Sequence, residues 1–249
     1  MSQELTTPQG RRIAYDLTKG QGPGVVFLGG FKSDRQGTKA LHLEAWAKAQ
    51  GRAFLRLDYS GHGDSSGAFE DGCIGDWAAD ARAAVELLTR GPQVLVGSSM
   101  GGWIALLIAR ARPDLIAGLV GIAAAPDFTE DSIWAGLDKD ARATLARDRR
   151  IEEPSDYGPE PYVYTQRLIE DGRNNLVLRD PLPLPFPVRL LQGTADADVD
   201  QSVALRLLDH ASGDDIRLTL VKGADHRFSG AAQLAMIQAA VEEVLTAAT

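Results

Sequence analysis

Between residues 25 and 123 the chain repeats one pattern: a short apolar run, a loop of glycine and polar residues, then a stretch with helical periodicity. Val25–Leu28 stops at Gly29 and Gly30 and is followed by Thr38–Gln50, where Leu41, Ala45 and Trp46 share a face. Ala53–Asp58 leads through residues 59–72 to a helix over about Ile74–Leu88. Val94–Val96 leads to Trp103–Ala111, and Leu115–Ala123 supplies another buried strand. Strands alternating with helices predict an α/β fold whose mostly parallel sheet is covered by helices on both faces. Such sheets bind ligands beyond the carboxyl ends of their strands, so the loops after strands should hold the chemistry.

The flanking segments fit the same frame. Glu4–Thr7 and Arg12–Leu17 read as a hairpin turning at Pro8, Gln9 and Gly10. From Asp127 to about Leu182 the alternation breaks. A charged helix is expected near Asp131–Arg150, then the aromatic Tyr157, Tyr162 and Tyr164, then a second short helix, together a small helical cap inserted at 127–182. Pro181, Pro183, Pro185 and Pro187 cannot continue a helix and should return the chain, extended, to a strand at Val188–Leu191. A helix near Ser202–His210, a strand Arg217–Val221 and a final helix from Ala231 complete one domain over residues 1–249.

A chain of 249 residues with 44% hydrophobic and 24% charged residues can bury a large core. The net charge of -8, spread along the length, excludes a phosphate-binding surface, so no nucleic acid partner is expected. No apolar run approaches the roughly 20 residues that span a bilayer, and Met1–Gly10 has no basic stretch followed by an apolar one. The expectation is a cytoplasmic protein without a membrane span. Cys73 is the sole cysteine, so no intramolecular disulfide can form.

Gly97, Ser98, Ser99, Met100 and Gly101 match Gly-x-Ser-x-Gly, with an apolar strand ending just before and a helix starting just after. The spacing serves a sharp turn that strains the serine, while the flanking glycines let neighbouring backbone pass. Ser99 is thereby the candidate nucleophile, although a plain helix N-cap would also place a serine there. The helix N-terminus offers the Met100 N–H to a developing oxyanion. A second donor is expected from the loop after Val25–Leu28, at the Phe31 N–H, unless Gly29 and Gly30 form only a tight turn.

A serine hydroxyl needs a base at neutral pH. Of the four histidines, His42 falls within a helix, His62 in a glycine-rich turn and His210 near a helix end. His226 follows the last strand in a loop at the carboxyl edge and is the candidate base. The acid that orients it should be one of Asp196, Asp198 and Asp200, which cluster after Val188–Leu191 in the chain order Ser, Asp, His. Asp196 is favoured because Val199 can anchor its loop, with Asp198 next and Asp127 a further candidate. Calcium is the other use for such aspartates, but no bidentate glutamate follows at loop spacing. The loop Asp58–Ser65 is expected to support the site from outside.

Five segments carry a family likeness: Gly37–Ala40, Arg56–Ser65, Gly91–Trp103, Pro187–Gly193 and Asp225–Arg227. Over nearly the whole chain they resemble the α/β-hydrolase superfamily, and within it the palmitoyl-protein thioesterase and acyl-glucuronide esterase group. The likeness implies Ser99, Asp196 and His226 as a catalytic triad and a small-molecule acyl ester or thioester as substrate. It also supports reading 127–182 as a cap. Asp200 departs from it, standing where such hydrolases often have proline. The expected reaction is two-step acyl transfer by a serine esterase or thioesterase, with no metal or organic cofactor. A small-peptide serine aminopeptidase and a non-catalytic ligand-binding protein of the same fold remain the alternatives.

Overall fold

The computed structural model describes residues 3–154 and 161–248. The chain begins with an antiparallel pair, β1 (Gln3–Thr6) and β2 (Arg12–Thr18). Then come β3 (Gln21–Leu28), α1 (Thr38–Ala49), β4 (Arg52–Leu57), α2 (Ile74–Leu88), β5 (Gln93–Ser98), α3 (Met100–Ala111) and β6 (Ile116–Ile122). The segment that follows leaves the sheet. A wide helical turn at Thr129–Trp134 leads to α4 (Lys139–Asp148), the paired strands β7 (Arg150–Glu153) and β8 (Tyr162–Thr165), and α5 (Gln166–Asn174). The prolines carry the chain through the two-residue β9 (Leu182–Pro183) to β10 (Val188–Gly193). The remainder is α6 (Gln201–His210), the short β11 (Ala211–Ser212) paired with β9, β12 (Ile216–Val221) and α7 (Ala231–Ala247).

The main sheet has the order β1-β2-β4-β3-β5-β6-β10-β12, parallel from β4 to β12. Its central strands are apolar on both faces, as burial between two helical layers requires. In β3 and β5, Val26, Leu28 and Leu95 pack under α2 and α3 against Trp77, Trp103 and Ile104. Val25, Phe27, Val94 and Val96 face the opposite way, toward Leu43 of α1 and Val241 and Val244 of α7. Alternation along each strand thus feeds two cores, which is why these strands read as continuous apolar runs.

Two departures from the sequence reading lie between β6 and β10. The single helix expected near 131–150 is interrupted, because Asp138 accepts the Ala141 N–H at 2.8 Å and caps a new helix, α4, at that point. Tyr162 and Tyr164, expected in an aromatic loop, belong instead to a hairpin strand in which Tyr164 stands opposite Ile151. The alternating Tyr-Val-Tyr-Thr sequence suits a strand, but its partner, Arg-Ile-Glu-Glu, carries little apolar signal. Tyr157 lies outside the described residues.

Candidate active site

β5 ends at Ser98 and α3 begins at Met100, so Ser99 alone turns the chain. Its φ of 53° and ψ of -120° lie where a residue with a side chain seldom sits. The glycines two positions away are sterically required. A Cβ on Gly101 would lie 2.1 Å from the Leu28 carbonyl oxygen, and one on Gly97 would lie 2.4 Å from that of Gly101. The strained turn is held by backbone bonds to β6 and the loop after it: the Ser99 N–H donates to the Ile122 carbonyl at 2.9 Å, and the Ser99 carbonyl accepts from the Ala125 N–H at 3.1 Å. Ser99 occupies the N-cap position of α3, yet its hydroxyl makes no capping bond. Its Oγ lies 3.1 Å from His226 Nε2 instead.

His226 sits in the loop after β12, beyond the carboxyl edge of the sheet. Its Nδ1 lies 2.9 Å from Asp196 Oδ2, in the loop after β10. The Asp196 carboxylate is fully buried and heavily hydrogen-bonded. Oδ1 accepts the N–H groups of Asp198 (3.0 Å) and Val199 (2.8 Å), while Oδ2 also accepts Gln192 Nε2 (2.9 Å). Burial alone would raise this carboxyl, but the bonds from His226, Val199 and Gln192 outweigh it and hold Asp196 below the ordinary aspartate range.

The other sequence candidates go elsewhere. Asp198 lies exposed at the rim of the same cavity, and its backbone N–H is bonded to Asp196 Oδ1. Asp200 caps α6 through the Ser202 N–H at 2.8 Å, which explains an aspartate at that departure from the family pattern. Asp127 is buried and accepts the N–H groups of Val177 (2.8 Å) and Leu178 (3.0 Å), tying the return segment to the sheet. His62 is buried against Tyr59, Phe69 and Trp77, and His210 Nε2 lies 2.8 Å from the Asp180 carbonyl. As to metals, Asp196, Asp198 and His226 offer ligand atoms within 4.8 Å of one another. Two of these three side chains are already bonded to each other, which disfavours a cation there.

Phe31 and Met100 both line a cavity of about 470 Å³ that also contains Ser99 and His226. Met100 opens α3, where the first-turn N–H groups have no acceptor within the helix. Phe31 is the second residue of a tight turn closed by Ser33 N–H to the Gly30 carbonyl at 3.1 Å, with Lys32 at a φ of 56°. That bond leaves the Phe31 N–H out of the turn's own pairing. Gly30 packs directly on the serine, since a Cβ there would meet Ser99 Cβ at 3.4 Å.

A family model described as alpha/beta hydrolase fold matches residues 28–168. The chain belongs to that family. The bovine palmitoyl-protein thioesterase ABHD10, mitochondrial, is 33% identical over 242 residues, covering 97% of this chain and 79% of that protein. Among solved structures, alpha/beta hydrolase domain-containing protein 10 from mouse superposes with a TM-score of 0.92 at 31% identity, covering 99% of this chain and 98% of that one. A protein from Agrobacterium vitis S4 superposes with a TM-score of 0.95 at 40% identity, covering 98% of both chains. The cytoplasmic expectation gains no support from relatives named mitochondrial. Among the described residues no helix is long and apolar enough to cross a membrane.

Around the site of this α/β hydrolase stand Gln192 and Arg35, which the sequence reading did not single out, and the Asp58–Ser65 loop, which it did. Gln192, fully buried at the end of β10, bridges Asp196 Oδ2 and the Val199 carbonyl, both at 2.9 Å. An amide directly after Leu190 and Leu191, at the carboxyl end of the strand, was the available signal. Asp58, at the end of β4, accepts the Arg35 N–H at 2.6 Å and pairs with the Arg35 guanidinium. Tyr59 donates from its hydroxyl to the Gly29 carbonyl at 3.1 Å. The loop Asp58–Ser65 contributes no side chain to the cavity wall and braces the Gly29–Arg35 loop from behind. One side of the cavity is aromatic, with Phe31 packed edge-on to Phe128 and near Tyr162 and Tyr164.

Proposed function

We propose that the protein is a serine hydrolase cleaving small-molecule carboxylic esters or thioesters through an acyl-enzyme on Ser99. The observation that carries this reading is the continuous line of hydrogen bonds from Ser99 Oγ through both ring nitrogens of His226 to the buried Asp196. His226 Nε2 takes the Ser99 proton as Oγ attacks the carbonyl, and Asp196 holds the proton on Nδ1 and stabilises the imidazolium that forms. The N–H groups of Met100 and Phe31 receive the oxyanion, and removing one such donor costs roughly 100-fold or more in rate. His226 then gives its proton to the leaving oxygen or sulfur. Water then enters, and its oxygen attacks the acyl carbonyl as His226 takes its proton; the bond to Ser99 Oγ breaks, His226 returns the proton to that oxygen, and the acyl group leaves as the free acid.

The acyl group lies against Phe31, Phe128, Tyr162 and Tyr164, whose rings exclude water from the reacting carbonyl. Residues 127–182 act as the cap that supplies this wall, because Phe128, Ile133, Tyr162 and Tyr164 reach the cavity from that segment. The thioesterase name of the ABHD10 relatives supports including thioesters. The test is labelling with a fluorophosphonate probe, followed by hydrolysis of short-chain esters, long-chain thioesters and acyl glucuronides. Wild type should label and turn over at least one class, and Ser99→Ala should do neither. Absence of labelling in both would point to a non-catalytic binding protein.

A further inference from the structure

Helix α1 starts beside the cavity and carries a cation where helices disfavour one. Lys39 stands in its first turn, which holds no acidic residue, so the ammonium faces the positive end of the helix dipole. Lys39 also lines the cavity with Ser99 and His226. Burial pushes its ammonium down to about 8, a fall that Asp225 opposes and Arg227 deepens. A lysine held against the dipole, burial and a neighbouring arginine is a local conflict of the kind found at functional sites.

What the side chain does there is visible in its one strong bond. Lys39 Nζ donates to the backbone carbonyl of Arg227 at 2.5 Å, across 188 positions of sequence. Arg227 is the residue directly after His226. Before His226 the loop is fastened to the β10 side: Gly223 N–H donates to Thr194 Oγ1 at 3.0 Å, and Ala195 N–H donates to the Ala224 carbonyl at 3.0 Å. After His226, the Arg227 carbonyl takes a local bond from Ser229 Oγ at 2.8 Å and the bond from Lys39. Of these two, Lys39 alone reaches in from another element.

We propose that Lys39 is a positioning residue for the base, its ammonium tying the Arg227 carbonyl to α1 and so keeping the His226 ring in line with Ser99. This rests on the serine-hydrolase reading above. When Lys39 loses its proton, a charge-assisted bond becomes a weaker neutral one and the tie slackens. The charged and titratable groups around it are Lys32, Tyr162, Tyr164, Asp198, His226 and Arg227 in the cavity wall and Asp225 beside it.

The experiment compares wild type, Lys39→Met and Lys39→Arg in p-nitrophenyl ester hydrolysis, fluorophosphonate labelling rate and thermal melting. Lys39→Met should lose about tenfold or more in kcat with KM within about twofold, and labelling should slow in parallel, because a misplaced base affects chemistry rather than binding. Its melting temperature should stay level or rise, since a disfavoured charge has gone. Lys39→Arg, still a charged donor, should recover most of kcat. Wild-type kcat should decline as pH rises through about 8, while the arginine variant holds its rate to higher pH.

A methionine variant with wild-type kcat, or with raised KM and unchanged kcat, overturns the proposal. If that variant does not fold, the alkaline limb decides alone, and coincident limbs for wild type and Lys39→Arg overturn it. A wild type that hydrolyses no ester and takes no probe refutes the hydrolase reading instead, and this inference falls with it.

Discussion

Replacing Asp196 by asparagine isolates the part of the relay that chemistry needs and packing does not. Oδ1 of Asp196 accepts two backbone N–H groups, from Asp198 and Val199, so an asparagine must keep its oxygen on that side. Its amide nitrogen then points to where Oδ2 stood, facing His226 Nδ1 and Gln192 Nε2, both donors at present. The Gln192 amide can turn over to accept from the asparagine, giving up its bond to the Val199 carbonyl as it does so. His226 can adapt only by moving its proton, leaving Nδ1 an acceptor and Nε2 protonated toward Ser99. An imidazole in that tautomer cannot receive the serine proton. Loss of the correct tautomer at an orienting aspartate drops kcat by about 10⁴, equivalent to about 5.5 kcal/mol of transition-state stabilisation. The assay is steady-state p-nitrophenyl ester hydrolysis by wild type, Asp196→Asn and Asp198→Asn, with circular dichroism to confirm equal folding. Asp198→Asn should stay within about fivefold of wild type, because its carboxylate lies exposed at the rim. An Asp196→Asn variant retaining more than about a tenth of wild-type kcat, or an Asp198→Asn variant as impaired as Asp196→Asn, would refute the assignment of the acid.

Gly101→Ala should destabilise by about 3 kcal/mol or more in urea unfolding, because its Cβ would lie 2.1 Å from a backbone oxygen that cannot move aside. Cys73 is buried, and burial pushes its thiol up to about 12, helped by the bond the thiol donates to the Asp76 carboxylate, so native protein should resist iodoacetamide at about pH 8 while urea-unfolded protein reacts readily. The folded-state Asp196 carboxyl lies below its unfolded value of about 3.9, so its ionised form adds stability above that pH and loses it as the medium is acidified further. The melting difference between wild type and Asp196→Asn should therefore be widest near neutrality and shrink below about pH 4; a gap that widens in acid would contradict the direction of the shift.

How far the sequence disclosed this site depended on whether each residue's duty is set by its neighbours in the chain or by groups far along it. Gly97, Ser99 and Gly101 were legible because the steric demand of one tight turn falls wholly within five residues. His226 was legible because the end of an apolar run marks a loop at the carboxyl edge. Between Asp196 and Asp198, two residues apart, the sequence could rank but not decide. The choice turns on which carboxylate folds back to cap the N–H groups of 198 and 199, with Val199 buried to fix that loop. The β7–β8 hairpin escaped notice because Arg150–Glu153 shows a strand character only when Tyr162–Thr165 lies beside it. Gln192, Arg35 and Lys39 escaped for a related reason: a polar side chain in an apolar context announces a conflict without naming the partner that resolves it. Those partners lie 4, 23 and 188 positions away, on Asp196, Asp58 and Arg227. The same division governs failure. A change at a position fixed by local sterics should cost folding, as at Gly101. A change at a long-range tether such as Lys39 should leave the sheet intact and move a side chain by a fraction of an ångström, which a proton transfer over one hydrogen bond registers and a melting curve does not.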